Sequence, residues 1–387
     1  MAAMPRLPIS GGTRSDPRGL SIGGGRFPIK LVGKRLPPIA ITGEKLMATI
    51  TDVARVAGVS KNTVSRYLNE RGYMSEKTKS AIQDAIDLLH YQPNQIARSL
   101  TTKRTNFVGL VIPDVVQPFF ATMASRIEDE LDRRGYKMIL CDTMHSPAKE
   151  RKYLDMLTAN KVDGIIVGSH SVDIDYSGIG LPIISLDRSL ADDIPVVHAD
   201  HVQGGHIAAE AFLKHGCKKV VQFVGYSKVL SPSAQRHKVF AEQMRDHGVE
   251  CFTYELRLNQ FEFSSYLQTA KMFLDQYPGV DGIFAADLVA LAVQREALSR
   301  GRRIPDDLFV FGYDGSFVHK IAYPPLPTVI QPYEEMAATI VDLLERRIAG
   351  QTPEFHSYVI PVVSSESVPD EADGDPVGNY DLTVAPR

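Results

Sequence analysis

The stretch FVGLVIPDVVQPFFATMASRIEDELDRRGYKMILCD, residues 107–142, decides the fold. Its two ends, FVGLVIP and KMILCD, are short apolar runs rich in Val, Ile, Leu and Phe, the composition of strands buried on both faces of a parallel sheet. Between them, FFATMASRIEDELDRRG is amphipathic at helical spacing. Strand, helix and strand in that order make a βαβ unit. Downstream, DGIIVGS, PIISLD, KKVVQFVG, DGIFAAD and LFVFGYD repeat the strand pattern, and AKERKYLDMLTANK, HIAAEAFLKHG and ALAVQREALSRG the helical one. So many strands exceed one comfortable sheet. Residues 106–368 are therefore expected to form two doubly wound parallel α/β subdomains, with a ligand cleft at the carboxyl ends of the strands.

Upstream, the pattern changes to short helices over residues 47–92. TDVARVAG ends at Gly58, a good stop residue, and Ser60 is an N-cap for KNTVSRYLN. The small, glycine-containing turn AGVS suits a helix-turn-helix crossing. Ser75 caps a third helix whose Ile82, Ala85, Ile86 and Leu89 form the inward stripe. In GVSKNTVSRYLNE, residues 58–70, Val64 and Leu68 face inward, four apart. Lys61, Asn62, Ser65 and Arg66 are left outward, a donor-rich face with no carboxylate before Glu70.

Pro93 breaks the chain, and NQIARSL is too short to be a stable helix alone, so residues 93–105 read as a linker that becomes a hinge helix when something holds it. Residues 1–46, rich in Gly, Pro and Arg, are expected to be a disordered extension, with Met47 a natural start. Residues 369–387 are an acidic tail without heptads, expected to be disordered and to supply no coiled-coil assembly helix.

Charge is unevenly distributed. Lys and Arg number eight against two acidic residues over 1–46, nine against five over 47–104, and 26 against 39 over 105–387. A basic front on an acidic body suits a polyanion-binding head carried by a globular domain. Three cysteines, Cys141, Cys217 and Cys251, lack ligand spacing and read as buried free thiols of a cytoplasmic protein. No apolar run approaches the length of a membrane span, and no secretory signal is evident. Neither HExxH, a complete GxGxxG nor a metal-ligand cluster occurs, so no reaction, metal or cofactor is expected. HVQGGH resembles a phosphate cradle only superficially; tight packing at a helix start explains its glycines better.

TITDVARVAGVSKNTVSRYLNERGYMSEKTKSAIQDAIDLLHYQPNQIARSL, residues 49–100, resembles the head of the lactose-repressor (LacI/GalR) family of bacterial transcription regulators. DVA, AGVS, TVSR, LN, SxKT, YxPN and ARxL occur in register, and GLVIPDVVQPFF, DGIIVGS, GYD and PPLPTVIQP extend the likeness to about residue 368. Within the family, RGYMSEKT, PAKERKYLDMLTANKVDGII, DRSLADDIPVV and KHGCKKVV are similar to sucrose-operon repressors.

The resemblance implies a dimeric repressor of a palindromic operator, controlling sucrose or related carbohydrate genes. Its second helix would enter the major groove with Lys61, Asn62 and Arg66 at the base-reading positions. Arg and Lys suit guanine acceptors, and Asn pairs with adenine. Ser60, Thr63, Ser65, Asn69, Ser75 and Thr78 match phosphate-holding positions, and Thr49 joins the DNA-facing set. PNQIARSL matches the hinge helix, with Leu100 as the minor-groove wedge and Asn94 and Ala97 beside it. In the body, Phe119 or Phe120 would stack on a sugar or sugar phosphate, Arg236 and Asp314 fall at the effector-binding positions, and His170 is a candidate for the cleft lining. Val239 and Ala286 depart from the family pattern, where Gly and Asn are usual. Two alternatives stand beside this reading: a global regulator controlled by a protein partner, and a sugar-binding protein without a gene-regulatory role.

Overall fold

The computed structural model describes residues 48–69, 71–92, 104–169, 171, 174–226, 231–257 and 263–367. Two compact units are present, one within residues 1–93 and one within 94–387.

In the first unit, α1 (Ile50–Ala57), α2 (Lys61–Leu68) and α3 (Glu76–Leu89) enclose Val53, Ala54, Val64, Ile82, Ala85 and Tyr91. Each helix starts where a side chain meets orphan backbone N–H groups. Thr49 and Asp52 form a reciprocal capping box, Ser60 accepts from the Thr63 N–H at 3.1 Å, and Ser75 accepts from that of Thr78 at 3.3 Å. Gly58 ends α1 at φ 68°, a left-handed turn that glycine adopts without steric cost.

Among the described residues, the second unit contains two six-stranded sheets of matching strand order. The first runs β2 (Lys137–Asp142), β1 (Phe107–Ile112), β3 (Gly164–Val167), β4 (Ile183–Leu186), β5 (Val196–Ala199) and β11 (Ser357–Ile360), all parallel. The second runs β7 (Glu250–Glu255), β6 (Lys219–Val224), β8 (Gly282–Phe284), β9 (Phe309–Asp314), β10 (Thr328–Ile330) and β12 (Val363–Ser364), parallel except for β12. In both, the order reverses beside the first strand of the half, the switch point where such sheets bind ligands.

Helices α4 (Pro118–Arg133), α5 (Pro147–Ala159) and α11 (Tyr333–Ile348) serve the first sheet. The second is served by α6 (His201–Lys214), α7 (Ala234–Asp246), α8 (Phe263–Gln276) and α9 (Asp287–Ser299), with the short α10 (Val318–Ile321) following β9. The chain passes between the halves after β5, after β10 and between β11 and β12. One apolar cluster, from Val108 and Ile127 to Phe212, Phe284 and Phe311, runs through both halves, while each half keeps a second cluster of its own.

The expected doubly wound architecture holds. Of the cysteines, Cys141 and Cys217 are buried, and burial pushes their thiols up to about 11 and about 12. Cys251 corrects the expectation of three buried thiols: it is half-buried, because β7 is an edge strand. Among the described residues, no helix is long and apolar enough to cross a membrane.

Candidate functional site

On the helical head, the exposed face of α2 is the candidate interface. Lys61 and Asn62 are exposed in its first turn, ahead of the buried Val64. Arg66 is exposed but held: its Nη2 donates to the Tyr73 carbonyl at 3.2 Å and its Nε to that of Arg71 at 3.4 Å. The guanidinium therefore braces the segment after α2, with Nη1 left over for another acceptor. Ser60, Thr63, Ser75 and Thr78 are committed to helix starts, with paired hydroxyls at 2.8 and 2.9 Å. Asn69 donates to the Ser65 carbonyl at 2.7 Å and closes α2. These residues set the pitch of the helix ends, whose free N–H groups favour anions. Asn94, Ala97 and Leu100 lie outside the described residues, as does His170.

In the body, a polar chain crosses the cleft between the sheets. Asp187 follows β4 in the first half, and its Oδ1 lies 2.7 Å from His201 Nε2 at the start of α6. His201 Nδ1 meets the Tyr313 hydroxyl of β9 at 2.8 Å. The Arg236 guanidinium, on α7, lies 4.1 Å from the centroid of the Tyr313 ring, a cation–π contact. Arg236 Nε in turn donates to His237 Nε2 at 3.3 Å, and His237 Nδ1 meets Gln222 Oε1 at 3.2 Å.

Burial pushes both imidazoles below their ordinary value, and the Arg236 charge adds to this. Both rings are therefore neutral: His201 donates to Asp187 and accepts from Tyr313, while His237 accepts from Arg236 and donates to Gln222. Asp187 feels burial pushing it up, yet the His201 donor and Arg236 outweigh this and hold it below the ordinary carboxylate value. Ser231 of the second half also donates to the Asp187 carbonyl at 2.8 Å, so the second half holds Asp187 at two atoms.

Asp314 ends β9 at φ 130°, a strained backbone for a side-chain-bearing residue. Its Oδ1 accepts from Gln331 at 2.9 Å and its carbonyl from the Tyr333 hydroxyl at 3.0 Å. Burial pushes its carboxyl up to about 7 against the pull of Arg236. Asp287, fully buried at the start of α9, accepts from Thr328 at 2.7 Å and from Ser316 N–H at 3.0 Å. Burial and the neighbouring Asp314 drive it well above the ordinary value.

Arg236 and Asp314 thus share one electrostatic site. Phe119 is half-buried, 5.8 Å from the Tyr333 ring, and so stands beside the residue that holds Asp314. Phe120, offered as its alternative, is a correction: it is 5% exposed within the core, because the start of α4 packs onto the sheet there. Gly204 and Gly205 follow the packing explanation for HVQGGH. A Cβ on Gly204 would lie 2.5 Å from the Tyr313 hydroxyl oxygen, and one on Gly205 would lie 2.7 Å from the Arg236 carbonyl and 2.9 Å from Val239 Cβ. Val239, a departure from the family pattern, is thus accommodated by the glycine on the facing helix.

Asp187, His201, Tyr313 and His237 were not singled out from sequence. The usable signal was Asp187 at the carboxyl end of PIISLD, where doubly wound sheets place functional groups. Asp187, His198 and His201 bring ligand atoms within 4.8 Å of one another, close enough to suggest a metal ion. However, His198 is engaged at 2.7 Å by the Ala199 carbonyl and at 2.9 Å by the Ser357 hydroxyl. Every ring nitrogen in the group has a partner, and Arg236 already supplies a cation. The donor set fits a hydrogen-bonded relay better than a metal centre.

Residues 49–94 match the family described as bacterial regulatory proteins, lacI family, and residues 209–368 match a periplasmic binding protein-like domain. The chain is 39% identical over 330 residues to a sucrose operon repressor of Streptococcus mutans serotype c, covering 84% of this chain and 100% of that protein. It is 36% identical over 317 residues to a ribose operon repressor of Halalkalibacterium halodurans, covering 81% and 95%. A periplasmic binding protein/LacI transcriptional regulator from Alkaliphilus metalliredigens QYMF, solved with D-xylulofuranose, superposes with a TM-score of 0.61 at 30% identity, covering 67% of this chain and 97% of that one.

Proposed function

Because this chain belongs to the lacI family of bacterial regulatory proteins, we propose that it is a sugar-responsive transcriptional repressor that binds a palindromic operator as a homodimer in the cytoplasm. The observation that carries this reading is the match to a sucrose operon repressor along that protein's whole length, head and body together. The curated relatives it matches are operon repressors, in keeping with a regulator that catalyses no reaction.

On DNA, Lys61, Asn62 and Arg66 read base edges in the major groove, while Thr49, Ser60, Thr63, Ser65, Asn69, Ser75 and Thr78 set register against phosphates. The 93–105 hinge enters the minor groove with Leu100 as wedge, flanked by Asn94 and Ala97. Unstacking a base step costs about a few kcal/mol, offset by the contacts that a bent duplex allows. A second copy would cover apolar residues left exposed on both halves: Leu140, Met144 and Met156 on the first, Phe317, Ile321 and Tyr323 on the second.

The effector sits in the cleft, with a hydrophobic sugar face against Phe119 and hydroxyls on Arg236 and Asp314. Its binding changes the angle between halves, and with it the spacing of the paired hinges; this is a coupling between two sites. Sucrose heads the candidates because of the sucrose operon repressor match, and ribose follows.

Fluorescence anisotropy of labelled DNA from the protein's own gene neighbourhood, titrated at fixed salt with sucrose, fructose, ribose and their phosphates, tests the reading. Selective binding altered by one sugar supports it. Selective binding that no sugar alters removes the effector assignment, and a lack of selective binding removes the operator.

A further inference from the structure

Asp187 has φ 52°, in the left-handed region, although it is not a glycine. Such a conformation persists where its surroundings over-determine it. Ser231 and His201 account for one side of the turn; the other side belongs to the next residue.

Arg188 is 7% exposed. Its Nη1 donates to the Ser169 carbonyl at 2.5 Å and its Nη2 to the Ser171 carbonyl. One planar fork therefore ties the end of β4 to the segment that follows β3. The Arg188 carbonyl itself accepts the Ser185 hydroxyl, which closes the turn on the strand. Beneath the same segment lies Glu150 of α5, with no solvent exposure. Its carboxylate accepts the hydroxyls of Ser169, Ser171 (at 2.5 Å) and Tyr176. Ser169 and Ser171 are thus gripped twice, by carbonyl from Arg188 and by hydroxyl from Glu150, and the two charges act on each other.

As a source of stability this arrangement is poor. Both ions lose their hydration, and Arg188 Nε is buried without a partner among the described residues. Apolar residues of similar volume would serve a core as well. What the fork adds is direction: two carbonyls and the strained Asp187 turn are locked to one rigid group.

We infer that Arg188 and Glu150 are positioning residues for the effector cleft, holding the Asp187 turn and the Ser169 and Ser171 backbone in the geometry that a sugar meets. Neither needs to touch the sugar. The inference rests on the cleft being the effector site, and it extends the site to α5, which carries Glu150.

Lysine offers a point charge in place of a fork, so Arg188→Lys keeps the charge and loses the two-carbonyl grip. In the full chain without ligand, hydrogen exchange of peptides covering 164–171 and 183–188 should accelerate about tenfold or more, with exchange in the head helices unchanged. The sucrose concentration for half-release of labelled operator should rise about tenfold, with sugar-free operator affinity within about twofold of wild type. A merely structural role would lower the melting temperature and leave that half-release concentration in place. That result, or unchanged exchange in a folded variant, overturns the inference. Should Arg188→Lys not fold, Ser171→Ala removes one hydroxyl from Glu150 without changing charge. It should accelerate the same exchange about threefold, and no acceleration overturns the inference. If sucrose does not release the wild type, the sucrose reading fails separately, and exchange alone decides the positioning claim.

Discussion

His201 and Asp187 meet at 2.7 Å across the cleft, joining the start of α6 in one half to the end of β4 in the other. The imidazole is held neutral by burial, so this is a directed N–H donation to a carboxylate with the Tyr313 hydroxyl behind it. His201→Leu would leave the Asp187 carboxylate and the Tyr313 hydroxyl each short of a partner. The expected loss of stability is about 1–3 kcal/mol for each group left unsatisfied, read by urea unfolding. A loss below the error of the measurement would mean that water or rearrangement replaces the tie.

Asp314 gives the protein a pH dependence whose sign follows from its upward shift to about 7, against an ordinary value of 3.8. Between those values the folded chain keeps a proton that the unfolded chain has lost. Its contribution to stability is therefore full below pH 4 and disappears as the pH rises to about 7. The melting temperature of wild type minus that of Asp314→Asn should fall by several degrees from pH 4 to pH 7.5. An ionised carboxylate is also the stronger acceptor, so sugar affinity should rise over pH 6–8 in wild type and stay level in the variant.

Gly205→Ala places a methyl 2.7 Å from the Arg236 carbonyl, which is backbone and cannot swing aside. The two helices must part, at a cost of about 1–3 kcal/mol. Since α7 carries Arg236, the sugar response should weaken along with the melting temperature. A folded variant with an unaltered response would show that the cleft tolerates displacement of α7.

Arg66→Ala should relax base preference at one operator position, with a discrimination loss of about 1–3 kcal/mol at that base pair. The structure adds a second consequence, because Arg66 also braces the Arg71 and Tyr73 carbonyls. Hydrogen exchange at residues 71–73 should accelerate in the free protein. Selection of binding sites from a randomised operator checks the first effect; unchanged specificity would remove Arg66 from base reading.

The parts of the fold legible in sequence were those whose signal is local. Gly58, Ser60 and Ser75 mark helix ends by their own backbone chemistry, and FVGLVIP reads as a buried strand because burial on both faces leaves no alternation. What escaped had no local signature. β10 and β12 have only three and two residues, and β7 is an edge strand whose faces are largely exposed. The relay was hidden for a different reason: His201 and Tyr313 lie 112 positions apart, and nothing near either one announces the other. Arg236 and Asp314 were reached through family likeness, since a lone arginine and a lone aspartate carry no chemistry of their own. Phe119 and Phe120 could not be separated by pattern, because only packing decides which of two adjacent rings faces the core.

Whether a sugar in the Arg236–Asp314 cleft governs operator binding is decided by comparing wild type with Arg236→Ala in one titration. Both proteins bind labelled operator at fixed salt, and the releasing sugar is then added. The expected result is equal initial affinity, release of the wild type, and retention of operator by Arg236→Ala at sugar concentrations about a hundredfold higher. Release of both proteins at the same sugar concentration would show that Arg236 does not bind the effector.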